Sequence, residues 1–280
     1  RFGKFMQLQY SGRARQLGAH IYTYLLERSR IVSPPPGEAN YHVFYSLVSG
    51  VAKEEAGRLG LLKESEYAMM PEGNGRKPLA ERQESWSRIT DAFQAVGFTA
   101  DEQGELGKSI ASVLALSLLK FGGSDDAENN RVSHIEGGVE EGGALARAAA
   151  RVEVDPPMLA EALCTRRVFL PTGDAFVKPL DEAQAADGAS ALQKAVYGRM
   201  FDAIVAKLNE LISVEEGEGK SAADQAAFIG ILDIFGFESF KVNSFEQLCI
   251  NFANEKLQQI FNRHTFTLEE QTYADEGVPY

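Results

Sequence analysis

Cysteine is scarce in this sequence: Cys164 and Cys249 are the only two in 280 residues, and they lie far apart in the chain. A disulfide framework is thereby excluded, and reduced thiols in a cytosolic protein fit better. Histidine is almost as sparse. His20, His42, His134 and His264 share no metal-ligand spacing with one another or with the cysteines, which argues against a zinc site. No apolar run is long enough to cross a bilayer, and no signal-peptide pattern occurs. Basic residues are outnumbered, with 28 Lys and Arg against 40 Asp and Glu, for a net charge of −12. That sign argues against a nucleic-acid phosphate binder. Much of the excess acid falls at residues 125–141 and 215–218, where it reads as solvated loop charge.

A complete phosphate loop is missing as well. The pattern G-x-x-x-x-G-K-[ST] needs a glycine five places before the second glycine. For Gly107-Lys108-Ser109 that place holds Glu102, and for Gly219-Lys220-Ser221 it holds Val214. The first triplet falls inside an expected helix and the second in an acidic loop before a strand, which reverses the required strand–loop–helix order.

What is present reads as a mixed α/β chain with ample length for a core. Residues 4–10, "KFMQLQY", alternate with Met6, Leu8 and Tyr10 on one face, as a strand does, and a second extended piece is expected near 18–25. After the breaker "SPPPGE", the segment "EANYHVFYSLVSG" predicts a helix stopped by Gly50. Helices are expected over 80–97, 101–121, 157–164 and 190–213, the last with Leu192, Val196, Met200, Ile204, Leu208 and Leu211 at helical spacing. Gly, Asp, Glu and Asn dominate from 122 to 143, which suggests a mobile surface insertion. Residues 165–181 are expected to be irregular. "SFEQ" (244–247) matches a capping box, and no Gly or Pro follows until after Glu276, so a helix of about 45–50 Å is expected there at 1.5 Å per residue.

One stretch breaks its own pattern. "ILDIFGFESF" (231–240) follows Phe228 and Ile229 as a buried strand should, and then carries Asp233, Gly236 and Glu238 among aromatics. In open α/β sheets, ligands bind beyond the carboxyl ends of the strands. An acid there can hold a magnesium-bound water, and a nearby glycine lets a backbone N–H approach a terminal phosphate. On that logic Asp233 and Gly236 are a metal and γ-phosphate sensor; a strand-to-turn acid with a loop glycine is the plainer alternative. Glu238 needs a cationic partner if buried, and spacing alone does not choose it.

"DIFGFESF" followed by "NSFEQLCINFANEKLQQIFNRHTF" resembles switch II and the relay helix of the myosin motor domain. "RFGKF" at the start resembles the end of switch I, and "YLLERSRIV", "GEANYHVFYSLVSG" and "LQKAVYGRMFDAIVAKLNELI" are similar to further family segments in the family's order. The resemblance covers nearly the whole chain apart from 122–150. It implies a P-loop NTPase-like α/β motor fold, incomplete here: the end of switch I and its strand at 1–10, a mostly helical upper 50-kDa region at 11–214, switch II at 228–240 and the relay helix at 243–276. An expected mobile insertion at 122–150 and an actin-binding loop at about 165–180 lie within the second of these. The chain opens on Arg1 rather than Met, so a fragment of a longer protein is expected.

The resemblance also implies roles. Arg1 and Glu238 would pair when the site closes around ATP. Asp233 would reach Mg²⁺ through water, and the Gly236 amide would meet the γ-phosphate. Sixteen residues before the "SALQK" start at Ser190 stands Asp174, where the family carries an acid or a phosphorylatable residue in its actin-binding loop. Implied partners are actin filaments, with light chains or calmodulin reached only through a lever arm outside this chain, in a cytoplasmic, cytoskeleton-associated setting. The chain has departures: "LALSLLKF" for "LHLGNIxF", "LEEQTY" for "LEQEEY", and Tyr280 for a usual Trp. Two functions are implied: an actin-activated ATPase motor, whose fragment alone is expected to be inactive without the phosphate loop, and a catalytically inactive myosin-like binding or scaffolding module.

Overall fold

The computed structural model describes residues 2–11, 14–71, 79–125, 131–138, 140, 142–171, 173–213 and 227–279. They divide into two compact units, one of residues 1–27 with 212–280 and one of residues 28–211.

The first unit is organised by a three-stranded antiparallel sheet in the order β2–β1–β7. Strand β1 (Gly3–Tyr10) lies between β2 (Gln16–Tyr24) and β7 (Ala227–Asp233). The alternation of Met6, Leu8 and Tyr10 gives one face of β1, and the register carries it across the sheet. Met6 pairs with Ile21 and Ile231, and Leu8 pairs with Ala19 and Ile229. On the other face the Phe5 ring lies over Gly230, where a Cβ would come within 2.5 Å of the ring. Cross-strand packing of this kind specifies register, because a slip of one residue would exchange the faces.

The apolar run of β7 does not form a buried strand among the described residues. Phe228, Ile229, Ile231 and Leu232 are 42–57% exposed. Among the described residues β7 pairs with β1 alone, and no element covers these side chains on the faces of the sheet.

After β7 the chain runs without regular structure to Ser244 and enters α9 (Phe245–Asn262). The expected capping box contributes there, with the Ser244 N–H donating to Gln247 Oε1 at 2.8 Å. The helical run continues through a π-helical turn (Arg263–Thr267) into α10 (Leu268–Asp275). The long helix expected from the absence of Gly and Pro is therefore present, with one widened turn in place of a break.

The second unit is mostly helical. It holds α1 (Ser29–Val32), α2 (His42–Gly50), α3 (Lys53–Arg58), α4 (Leu79–Val96), α5 (Ala100–Leu116), α6 (Ala144–Arg151), α7 (Pro156–Cys164) and α8 (Glu182–Ile212). Phe44, Tyr45 and Leu47 of α2 and Val113, Leu114 and Leu116 of α5 are nearly inaccessible to solvent. Asn40 and Arg30 are brought inside with partners, as burial favours. Asn40 Nδ2 donates to the carbonyls of Ile31 and Met69 at 3.1 and 2.7 Å, and Arg30 reaches Glu38 at 2.6 Å and the Ala39 carbonyl at 2.8 Å. Thr99 and Glu102 form a reciprocal capping box at the start of α5.

Three expectations are corrected in this unit. Helix α5 stops at Leu116 instead of running to 121, because Phe121 begins a strand. The stretch 122–150 is not a loose surface insertion in its described part. Strands β3 (Phe121–Asp125) and β4 (Arg131–Ile135) pair as a hairpin, and Ile135 joins Leu145, Ala148 and Ala149 of α6 in a core with Leu116, Leu159 and Leu163. Small residues that look loop-like in composition serve here as close-packing surface. The described part of 165–181 is likewise regular, with β5 (Thr165–Phe169) and β6 (Ala175–Pro179) paired as a hairpin.

Candidate functional site

Strand β7 delivers Asp233 as its last residue, directly opposite Lys4 of β1. The Lys4 ammonium lies 3.3 Å from the Asp233 carboxylate, whose side chain is 66% exposed. One carboxylate at a strand end suits a group that would reach a magnesium ion through water, since Mg²⁺ keeps several waters and takes few protein ligands. The described residues offer no cluster of three or more metal-ligating side chains.

Gly236 sits in the irregular segment after β7. It has no positive φ, and a Cβ placed on it would meet nothing within 4 Å. Neither turn geometry nor packing among the described residues requires glycine here.

Glu238 is held by α9. Its N–H donates to Asn251 Oδ1 at 2.9 Å, and its carbonyl accepts from Asn251 Nδ2 at 2.8 Å. One side-chain amide thus pairs with the backbone of Glu238 as a neighbouring strand would. Gln247, one turn earlier on α9, donates from Nε2 to the Glu238 carboxylate at 3.4 Å. Asn243 repeats the device two residues on, pairing with both the N–H and the carbonyl of Phe240 at 2.9 Å each. Through these contacts the loop after β7 is tied to the first turns of the long helix. Arg1, the partner expected for Glu238, lies outside the described residues.

Asn251 and Asn243 were not singled out as functional by the sequence reasoning. The available signal was the spacing of Gln247 and Asn251, which places two amides on one face of a helix directly after a charged strand end.

Asp174 belongs to the 28–211 unit, at the turn of the β5–β6 hairpin. Leu170 N–H donates to the Asp174 carbonyl at 2.8 Å, and Gly173, at φ +92°, donates to the Leu170 carbonyl at 3.0 Å. Phe169 and Phe176 on the strands are 73% and 47% exposed, and Arg166 pairs in register with Lys178. The hairpin therefore presents apolar and basic groups behind an acidic turn.

Comparison with known proteins shows the family. The family model of the myosin head (motor domain) matches residues 1–280. Myosin-52 of Schizosaccharomyces pombe is 38% identical over 280 residues, covering 99% of this chain and 18% of that protein. Protein OPAQUE1 of Zea mays is 37% identical over 278 residues, covering 99% of this chain and 17% of its own length. Unconventional myosin-Ic of Rattus norvegicus is 37% identical over 282 residues, covering the whole chain and 26% of that protein. The chain thus spans between a sixth and about a quarter of the length of these relatives. A family match over every residue, with a charged strand end tied to a long helix, leads to one conclusion: the chain belongs to the myosin head (motor domain) family.

Proposed function

We propose that this chain is the switch and relay portion of an actin-activated ATPase motor. The observation that carries the reading is the Asn251 clamp on Glu238, because it makes the loop after β7 and the start of α9 move together. In this reading the Gly236 amide meets the γ-phosphate of ATP. Closure of the loop around that phosphate draws Glu238 toward Arg1, and the two charges shut the compartment to bulk water. Asn251 transmits the same displacement to α9, and the helical run through α10 to Asp275 carries it away from the site. This is an order-and-release switch of the kind used by phosphate-sensing NTPases.

Asp233 would hold a water bound to Mg²⁺, which when present neutralises charge on the phosphates. The β5–β6 hairpin would engage actin filaments, with Asp174 supplying a permanent negative charge at its turn. Engagement then needs no phosphorylation at that position. A cytoskeletal location follows from the same reading.

The experiment is co-sedimentation of the complete protein carrying this sequence with actin filaments, with and without MgATP. Binding that MgATP weakens supports a nucleotide-switched motor. Binding indifferent to MgATP would instead make it a filament-binding scaffold.

A further inference from the structure

Lysine at position 4 is out of keeping with its surroundings. Four rungs cross the sheet on this face, and beyond Gln16–Tyr10–Ala227 they are Ala19–Leu8–Ile229, Ile21–Met6–Ile231 and Thr23–Lys4–Asp233. The Leu8 and Met6 rungs are apolar throughout. The Lys4 rung, at the end where β7 stops, puts an ammonium on the central strand 3.3 Å from the Asp233 carboxylate. A strand backbone paired on both sides fixes the root of the Lys4 side chain next to Asp233. Its side chain is 36% exposed and that of Asp233 is 66% exposed. An ion pair that open to water contributes little to stability, so sheet stabilisation is a weak reason for it. Electrostatics at the mouth of a ligand site is a stronger one.

We propose that Lys4 is a positioning residue for Asp233: its ammonium occupies the carboxylate when no divalent cation is near and competes with that cation when one arrives. The proposal rests on the reading that Asp233 faces magnesium through water. A fixed monovalent charge beside the carboxylate weakens its attraction for a divalent ion, so cation retention depends on the phosphates that accompany it. Release of the cation after turnover is eased by the same competition, because the ammonium is already in place to take the carboxylate back.

The test uses the complete protein and measures the dissociation rate of a fluorescent ADP analogue against free Mg²⁺ concentration. Lys4→Met removes the charge with little loss of length. The expected result is a fall of about threefold to tenfold in the Mg²⁺ concentration giving half-maximal slowing of release, the size set by one unit charge near a divalent ion in a solvent-exposed site. Lys4→Arg should keep the wild-type midpoint. In an Asp233→Asn background the effect of Lys4→Met should vanish. A midpoint unchanged or raised by Lys4→Met, with Asp233→Asn shifting it, overturns the role of Lys4 alone. A midpoint indifferent to Asp233→Asn overturns both this role and the reading beneath it. Thermal unfolding of the variants keeps a folding defect distinguishable, since a solely structural pair would move the melting temperature and leave the Mg²⁺ midpoint in place.

Discussion

Asn251 pairs with Glu238 through both halves of its side-chain amide, accepting from the N–H at 2.9 Å and donating to the carbonyl at 2.8 Å. The pair joins the loop that follows β7 to the second turn of α9. An amide is well suited to this, because it carries one donor and one acceptor in the geometry of a peptide group. Displacement of the loop is thereby displacement of the helix.

Asn251→Ala removes two hydrogen bonds and should cost about 1–3 kcal/mol of stability. Its larger effect is expected on coupling, with ATP affinity kept within about threefold while turnover falls at least tenfold. Asn251→Asp keeps the acceptor and loses the donor, and should fall between the two. Nucleotide titration alongside steady-state turnover separates the quantities. A matched loss of affinity and turnover would place Asn251 in binding instead.

At Gly236 stability and function should part company. A Cβ there meets nothing within 4 Å, so Gly236→Ala should change folding stability by no more than about 0.5 kcal/mol. If the amide approaches a phosphate closely, hydrolysis should drop by about 100-fold or more. Thermal unfolding and single-turnover hydrolysis on the same preparation check both halves.

Gly230 offers the opposite case. A Cβ would lie within 2.5 Å of the Phe5 ring, so Gly230→Ala should destabilise by about 1–3 kcal/mol through overpacking. Phe5→Leu in the same chain should recover part of that loss. Denaturant unfolding of the single and double variants measures it, and strictly additive losses would contradict the contact.

The Arg131–Glu182 pair ties β4 to the start of α8 and carries a pH dependence. The hydrogen bond from Arg131 holds the Glu182 carboxyl below the ordinary glutamate range. A folded value below the unfolded one means that the pair's contribution is complete above about pH 4.3 and is lost as pH falls through the lower folded value. In Arg131→Gln the Glu182 carboxyl should titrate at higher pH, which carbon-detected NMR of that side chain reads directly. An unchanged titration midpoint would contradict the assignment.

Much of the architecture was legible because apolar spacing is a local signal. Strand β1, helix α2 and the body of α8 follow from it. The start of α8 did not, since "EAQAADGA" carries no bulky apolar period, although Ala185 and Ala189 are buried. The same weakness hid the core role of Leu145, Ala148 and Ala149. Small residues pack by letting backbones approach, and composition does not separate that use from a loop. The β5–β6 hairpin was missed because its strands, with Arg166, Arg167 and Phe169 exposed, lack a buried alternating face.

At the site, Asp233, Gly236 and Glu238 stood out because each interrupts an apolar run. Asn251 did not, since a neutral amide on a helix reads as solvent-facing, and its partner is backbone, which no sequence pattern names. Lys4 was hidden for a related reason. Its significance lies in a cross-strand register that joins residues at opposite ends of the chain.

The most direct measurement is the steady-state ATPase rate of the complete protein at saturating MgATP as actin filaments are added. The expected result is a rate that climbs at least severalfold to a plateau and is flat and near zero in Gly236→Ala. A wild-type rate that filaments leave unchanged, in a preparation that binds ATP, would contradict the motor reading.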